Sequence, residues 1–381
     1  MIIYSRVLDL AKTIESSSCF LFGPRSTGKT FLIKSSLPDA KVYDLLDADV
    51  FSRLVRRPKL IGEELTELQD CVVIDEIQKL PALLDEVHRL IEARGLRFLL
   101  TGSSARKLRH QGVNLLGGRA RQEHLYPLCS QEIPDFDLLA YLNRGGIPRM
   151  LASSEPAEDL HGYVSLYLRE EIQAEALTRK VEQFARFLDV AGLQNGEEIS
   201  YQNLASDCGI SARTLQGYLQ ILEDTLLGFP VHSFRATKKR KAILRSKFFL
   251  FDVGIANTLA RRSEILPRSE LFGKCFEHFL FLELRAFIGY RRKRLPIQYW
   301  RSTSGYEVDC VIGDRLAVEF KSSDCVSDRH LRGLKALREE GLVKEYAVVS
   351  QDPEIRVLDG IRVYPWKTFL SELWSGRLLA D

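Results

Sequence analysis

The chain has 381 residues, of which 45% are apolar and 28% charged, and carries a formal net charge of +3. No apolar run approaches the ~18 residues of a membrane span, which excludes a bundle of spanning helices, and the length is too great for one comfortable core, so a soluble protein of two or three domains is expected. The seven cysteines form no CxxC pair, and Asp9 and Lys12 follow the opening apolar residues too closely for a signal peptide, so reduced thiols and a cytoplasmic location are expected.

The first element is an apolar run, Cys19 to Phe22, followed by GPRSTGKT at 23–30. Gly23, Pro24, Arg25, Ser26, Thr27, Gly28, Lys29 and Thr30 fit the strand, glycine-rich loop, helix pattern in which backbone N–H groups cradle the phosphates of ATP or ADP. In that pattern Lys29 bridges the β- and γ-phosphates, and the Thr30 hydroxyl holds magnesium. A second buried strand, Cys71 to Ile74, delivers Asp75 and Glu76, the first to contact magnesium and the second to polarise the attacking water. A helix over Ala82–Ala93 follows, with Leu83, Leu84, Val87, Leu90 and Ile91 at helical spacing, then a third strand from Arg97 that ends in Thr101, Gly102, Ser103 and Ser104. Either Thr101 or Ser103 would contact the γ-phosphate. This βαβ alternation predicts a doubly wound parallel sheet.

Gly145-Gly146-Ile147-Pro148 breaks the chain, and helical patterns resume from Glu158 through Leu188. The segment Ile199–Leu219 reads as two short helices joined by a tight turn at Gly209, a helix-turn-helix followed by a wing. As a DNA reader it would present Arg213, Thr214 and Gln216; as a spacer or protein interface it would present nothing specific. Between Arg235 and Arg301 stand 17 Lys or Arg against five acids, an excess of +12 that includes the run Lys238-Lys239-Arg240-Lys241 and points to a polyanion such as DNA. In the last third, Glu277 on a helix, Asp309 on one strand, and Glu319 with Lys321 on the next match the D-x(n)-[DE]-x-K arrangement of restriction-endonuclease-like folds. Glu277, Asp309 and Glu319 would then ligate magnesium while Lys321 orients water.

These motifs, in this order, resemble prokaryotic AAA+ superfamily ATPases with an N-terminal P-loop domain, a winged helix and a C-terminal restriction-endonuclease-like domain, a family long catalogued as of unknown function. The resemblance rests on GPRSTGKT, VVIDEIQKLP (72–81), LLTGSS (99–104), GGIPRM (145–150), FFLFDVGIA (248–256), GKCFEHFLFLEL (273–284), YEVDCVI (306–312) and AVEFKSS (317–323). It implies an α/β fold, with a P-loop AAA+ sheet at 1–125, a helical lid or connector at 126–182, a winged helix at 183–235 and a restriction-endonuclease-like α/β domain at 236–381. It further implies ATP hydrolysis in a homo-oligomeric ring, expected to be a hexamer, in which Arg119 or Arg121 reaches a neighbour's site. The sequence departs from the family in showing no second sensor arginine in the lid. A DNA-processing motor is the favoured reading; an ATP-gated, magnesium-dependent nuclease and a nucleotide-dependent protein-interaction switch are the alternatives.

Overall fold

A computed structural model describes residues 3–65, 71–103, 106, 108, 116–168, 181–262 and 264–380. The N-terminal region alternates α1 (Leu10–Ser16), β1 (Ser18–Phe22), α2 (Lys29–Ser36), β2 (Lys41–Asp44), α3 (Ala48–Arg56), α4 (Leu60–Glu64), β3 (Cys71–Asp75), α5 (Leu83–Arg94), β4 (Arg97–Gly102) and β5 (Ala120–His124). The five strands form one parallel sheet in the order β2-β3-β4-β1-β5. Every residue of β1 is buried, as expected of a strand covered on both faces. Its Phe20 and Phe22 face α5, with Leu83, Val87 and Leu90 packed against them, while Cys19 and Leu21 face Leu10, Ile14, Leu32 and Ile33 of α1 and α2. β4 intervenes between β1 and β3, so the end of β4 lies between the P-loop and the Asp75 carboxylate.

Next come α6 (Leu138–Arg144), α7 (Pro148–Leu151), α8 (Pro156–Gly162), a π-helical turn at Tyr163–Leu168 and α9 (Val181–Leu193). The continuous helical pattern expected over 158–188 is thus divided, and its part at 169–180 lies outside the described residues. α10 (Tyr201–Cys208) and α11 (Ala212–Asp224) form the expected helix pair, turned by Gly209 at φ +65° and capped by Ser211, whose hydroxyl accepts from Thr214 N at 3.1 Å. Where the sequence reading places a wing, the chain forms β6 (Gly228–Ser233) and β7 (Lys247–Leu250), followed by α12 (Val253–Leu259) and the long α13 (Glu270–Tyr290).

The remaining elements are β8 (Ile297–Arg301), β9 (Glu307–Ile312), β10 (Leu316–Phe320), α14 (Arg332–Arg338), β11 (Glu345–Ser350), β12 (Arg356–Leu358), β13 (Ile361–Pro365) and α15 (Trp366–Trp374). With β6 and β7 they make an eight-stranded mixed sheet in the order β12-β13-β11-β10-β9-β8-β6-β7. This sheet therefore extends across position 235, where the sequence reading divides two domains. α13 and α15 cover one face through Phe276, Phe279, Phe287 and Phe369; α14 covers the other through Leu334 and Leu337. No helix among the described residues is long and apolar enough to cross a membrane.

Glu283 joins the N-terminal half to this sheet. Its carboxylate, on a residue 1% exposed, accepts from Ser130 N at 2.5 Å, Ser130 Oγ at 3.0 Å and Trp374 Nε1 at 2.7 Å. Burial nevertheless outweighs these donors and pushes the carboxyl up to about 7. A carboxyl whose folded value is raised stabilises the fold below its unfolded value near 4.5 and loses that contribution as the pH rises through 7, so the native state should weaken by roughly 3 kcal/mol across this window from Glu283 alone. Urea unfolding at pH 5 and pH 8 should show this decline and show it reduced in Glu283→Gln. Equal slopes for the two proteins would refute the assignment.

Candidate functional site

The P-loop leaves β1 at Phe22 and enters α2 at Lys29. Ser26 and Gly28 hold positive φ values of 63° and 96°, which fold the loop tightly, and the Thr27 hydroxyl donates to Pro24 O at 2.7 Å within it. Lys29 is 7% exposed, and its ammonium donates to Gly23 O at 2.7 Å and Pro24 O at 3.3 Å. A Cβ on Gly23 would sit 2.6 Å from Leu125 O, so only glycine permits this approach of the loop to the chain leaving β5.

The ends of β3 and β4 converge on the same spot. Thr30 Oγ1 donates to Asp75 Oδ2 at 3.3 Å, and the Thr101 hydroxyl donates to the other oxygen of Asp75. Thr101 also accepts from Glu76 N at 3.2 Å. Glu76 adopts a left-handed backbone, φ 61° and ψ 46°, an unfavourable conformation for a residue with a side chain and one that accumulates at functional sites. That turn aims its carboxylate at Gln78, whose amide donates to Glu76 and approaches Ser103 Oγ at 3.4 Å. The structure thus brings Lys29, Thr30, Asp75, Glu76 and Thr101 together, with Ser103 reached through Gln78. In the sequence Gln78 appears only inside VVIDEIQKLP and carries no assigned role, since nothing marks it beyond its position two residues after Glu76.

Two further features border the loop. A cavity of about 450 Å³ is lined by Tyr4, Thr27, Gly28, Phe31, Leu128 and Pro148, with largely apolar walls. Arg6, also missed in the sequence, donates to Thr27 O at 3.2 Å, Tyr126 O at 2.6 Å and Tyr290 OH at 3.0 Å, and lies 3.1 Å from Glu132. The P-loop is therefore tied through one guanidinium to the end of α13. Tyr163 OH donates to Arg25 O at 3.2 Å. Gly145 of GGIPRM is explained by Asp252 of FFLFDVGIA, and Gly146 by Tyr141 OH and Leu128 O, with which a Cβ would collide. The Asp252 carboxylate accepts from Gly146 N at 2.7 Å, and any side chain on Gly145 would collide with it.

Arg119 and Arg121 lie elsewhere. The register pairs Ala120 with Ser18 and His124 with Phe22, so both arginines sit at the end of β5 remote from their own P-loop, roughly 13 Å along the strand. Arg119 pairs with Glu92, and Arg121 Nη1 donates to Ser16 Oγ at 2.9 Å. Both are exposed.

In the second sheet, the expected metal shell has a different composition. Asp309, Glu319 and Lys321 do meet, with Lys321 Nζ 2.6 Å from Glu319 and 3.6 Å from Asp309. Glu277 instead pairs with Lys247 at 3.1 Å, and Lys247 also lies 3.1 Å from Glu307. Lys247, at the start of β7, is a member that the sequence reading did not include. Among the described residues, no three carboxylate, histidine or cysteine side chains form a group arranged to hold a metal ion. Two ammonium groups stand among the four carboxylates. Burial raises the carboxyls of Glu277 and Glu319, and the surrounding acids, against the effect of burial, hold both lysines above their ordinary values. Glu319 Oε2 is buried without a hydrogen-bond partner among the described residues.

The sheet order, the loop and the convergent Asp75, Glu76 and Thr101 are those of a P-loop fold. Residues 15–134 match a family described as an AAA domain; residues 135–265 and 272–369 match two domains of unknown function, DUF8612 and DUF4143. An uncharacterized protein of Haemophilus influenzae is 25% identical over 247 residues, 59% of this chain and 60% of that protein, so the chain spans about three fifths of its relative's length. Among solved structures, replication initiator DnaA bound to AMPPCP and single-stranded DNA is similar at 11% identity and a TM-score of 0.30, over 56% of this chain and 84% of that one. A signal transduction ATPase with numerous domains from Pyrococcus horikoshii, bearing a tetratricopeptide repeat sensor, is similar at 17% identity and a TM-score of 0.26, over 77% and 48%.

Proposed function

We propose that the chain binds ATP with magnesium on loop 23–30, hydrolyses it, and couples hydrolysis to work on DNA. The observation that carries the ATPase reading is the convergence of Thr30, Asp75, Thr101 and the strained Glu76 at the mouth of the loop. The loop's backbone N–H groups and Lys29 would bind the phosphates, and the cavity between Tyr4, Phe31 and Pro148 would take the base. A hydroxyl and a carboxylate 3.3 Å apart are the hard oxygen donors that magnesium prefers, so Thr30 and Asp75 would hold the ion; bound there, it neutralises phosphate charge. Glu76, oriented by Gln78, would accept a proton from the attacking water. Thr101 would link the Asp75 and Glu76 positions. Because Arg119 and Arg121 lie far from their own P-loop, either would serve a neighbouring subunit in an ATP-dependent ring, expected to be a hexamer.

For DNA, α11 exposes Arg213 and Gln216, while Thr214 is engaged with Ser211. Lys238, Lys239 and Lys241 are exposed, but Arg240 pairs with Glu339, and Glu340 accepts from the backbone N–H groups of 238, 239 and 240 at 2.9 Å each. Glu339 and Glu340 thus fix the run; Lys239 Nζ also donates to Glu339 O at 2.5 Å, which leaves Lys238 and Lys241 facing solvent. ATP turnover should rise with single-stranded, duplex or junction DNA. Replacing the three lysines by glutamine should lower the slope of log affinity against log salt by up to about 2.7 on duplex DNA. Unchanged turnover with every DNA and an unchanged slope would leave the protein-interaction switch as the reading, and light scattering that shows a monomer at saturating ATP would remove the ring. A nuclease is the second reading, favoured by the contacts of Lys321 with Asp309 and Glu319. Its mark would be magnesium-dependent cleavage on a denaturing gel that disappears in Asp309→Ala.

A further inference from the structure

Arg285 is a charged residue within the apolar stretch of α13, preceded by Leu284 and followed by Ala286 and Phe287, all buried. Its guanidinium lies 4.1 Å from the ring centroid of Phe229 and 5.3 Å from that of Tyr126. No described residue gives it a hydrogen bond or an ion pair. The contrast with other enclosed arginines is clear: Arg6 meets Glu132 and Arg106 meets Asp224. Of the two carboxylates near Arg285, Glu123 is occupied by Arg292 at 2.7 Å, and Glu223 acts only from beyond ion-pair distance. Burial correspondingly lowers the pKa of Arg285. Arg285 is half-buried, and a partly desolvated cation without an ion-pair partner gains from a bound anion.

The guanidinium faces a cleft of about 540 Å³ between β5, β6 and the end of α13. Lys293, Arg292, His124 and His232 line the same cleft, as do the carboxylates of Glu123 and Glu223, the first of them neutralised by Arg292. A fork of N–H groups backed by aromatic rings and ringed by further donors suits a tetrahedral oxyanion with several acceptor oxygens. The aromatic rings are occupied by the guanidinium, so the cleft is built for an anion rather than for a stacked base.

We propose that this cleft is a phosphate-binding site separate from the P-loop, with Arg285 as its central ligand and Lys293 and His232 among its walls. The phosphate belongs either to a small phosphorylated molecule or to the backbone of a nucleic-acid strand. The site is wired to the nucleotide loop: Tyr126, against Arg285, accepts from Arg6 at 2.6 Å through its carbonyl, and Arg6 reaches Thr27 O at 3.2 Å. Gly289 keeps this junction closed, since a Cβ there would lie 2.5 Å from the Tyr126 hydroxyl. Phosphate binding in this cleft does not require ATP hydrolysis.

Calorimetric titration of the full chain with inorganic phosphate, with ADP present in excess, is the test. One phosphate per chain is expected, with affinity reduced at least about tenfold in Arg285→Met, where the charge-assisted hydrogen bonds are lost. Arg285→Lys should bind with intermediate affinity, and His232→Ala, at an exposed wall position, should weaken binding without threatening the fold. Competition by a single-stranded oligonucleotide would identify a nucleic-acid backbone as the source; phosphate binding without competition would identify a small phosphorylated ligand. Lys29→Ala, which alters the P-loop alone, should leave this phosphate in place, so failure of the nucleotide reading is separable. Absence of phosphate binding by the parent chain, or equal affinity in Arg285→Met, overturns the proposal.

Discussion

Lys29→Ala is expected to abolish nucleotide binding, whereas Glu76→Gln keeps binding and loses turnover. The two residues sit in the same mouth but touch different chemistry. Lys29 is buried on the loop's own carbonyls, so its ammonium is already positioned where phosphate oxygens would replace Gly23 O and Pro24 O as partners. Removing it takes away the only side-chain cation that GPRSTGKT holds inside the loop, and affinity is lost before chemistry begins. Glu76 is held instead by β4 and its own turn, its backbone N–H by Thr101 and its carboxylate by Gln78. Glutamine preserves the size and those contacts but cannot take a proton, so kcat should fall about 10²- to 10⁴-fold with little change in affinity. Filter binding of ATP alongside phosphate release would separate the two defects. Parent-rate hydrolysis by Glu76→Gln would assign the base to another residue.

What the sequence disclosed follows the range of the interactions. The P-loop, the Asp75-Glu76 strand end and the Thr101 strand were legible because each is a local pattern whose chemistry is set within a few residues. The pairing of Lys321 with Glu319 was legible for the same reason, since alternate residues of an extended strand share a face. Arg6, Gln78 and Lys247 were not. Arg6 meets Tyr126 and Tyr290, which are 120 and 284 residues away, and no periodicity announces such a contact. Lys247 looked like one more cation in a basic window, yet the strand it opens places it between Glu277 and Glu307. The window's excess of +12 likewise overstated the free charge, because Glu339 and Glu340 of the C-terminal region answer part of it. Charge counted along a chain does not include the acids that folding brings alongside.

Arg6→Met should destabilise the protein by roughly 3–5 kcal/mol, the effect of removing one partner of a buried ion pair. The side chains of Arg6 and Glu132 are 5% and 0% exposed, so screening by solvent does not soften the loss as it would for a surface pair. Without Arg6, Glu132 keeps, among the described residues, the N–H groups of Val7 at 2.8 Å and Cys129 at 3.1 Å, two neutral donors for a buried charge. The carbonyls of Thr27 and Tyr126 lose a donor at the same time, so the P-loop should loosen and ATP affinity should fall with stability. The two contributions can be separated. Glu132→Gln introduced into Arg6→Met removes the stranded charge and keeps one acceptor oxygen, for Val7 N or Cys129 N but not both, so it should recover part of the loss, at most about 1–3 kcal/mol, in urea unfolding at neutral pH. It should recover none of the ATP affinity, because Thr27 still lacks its donor. A double variant no more stable than Arg6→Met would show that the damage comes from the bonds to Thr27, Tyr126 and Tyr290 rather than from the stranded carboxylate.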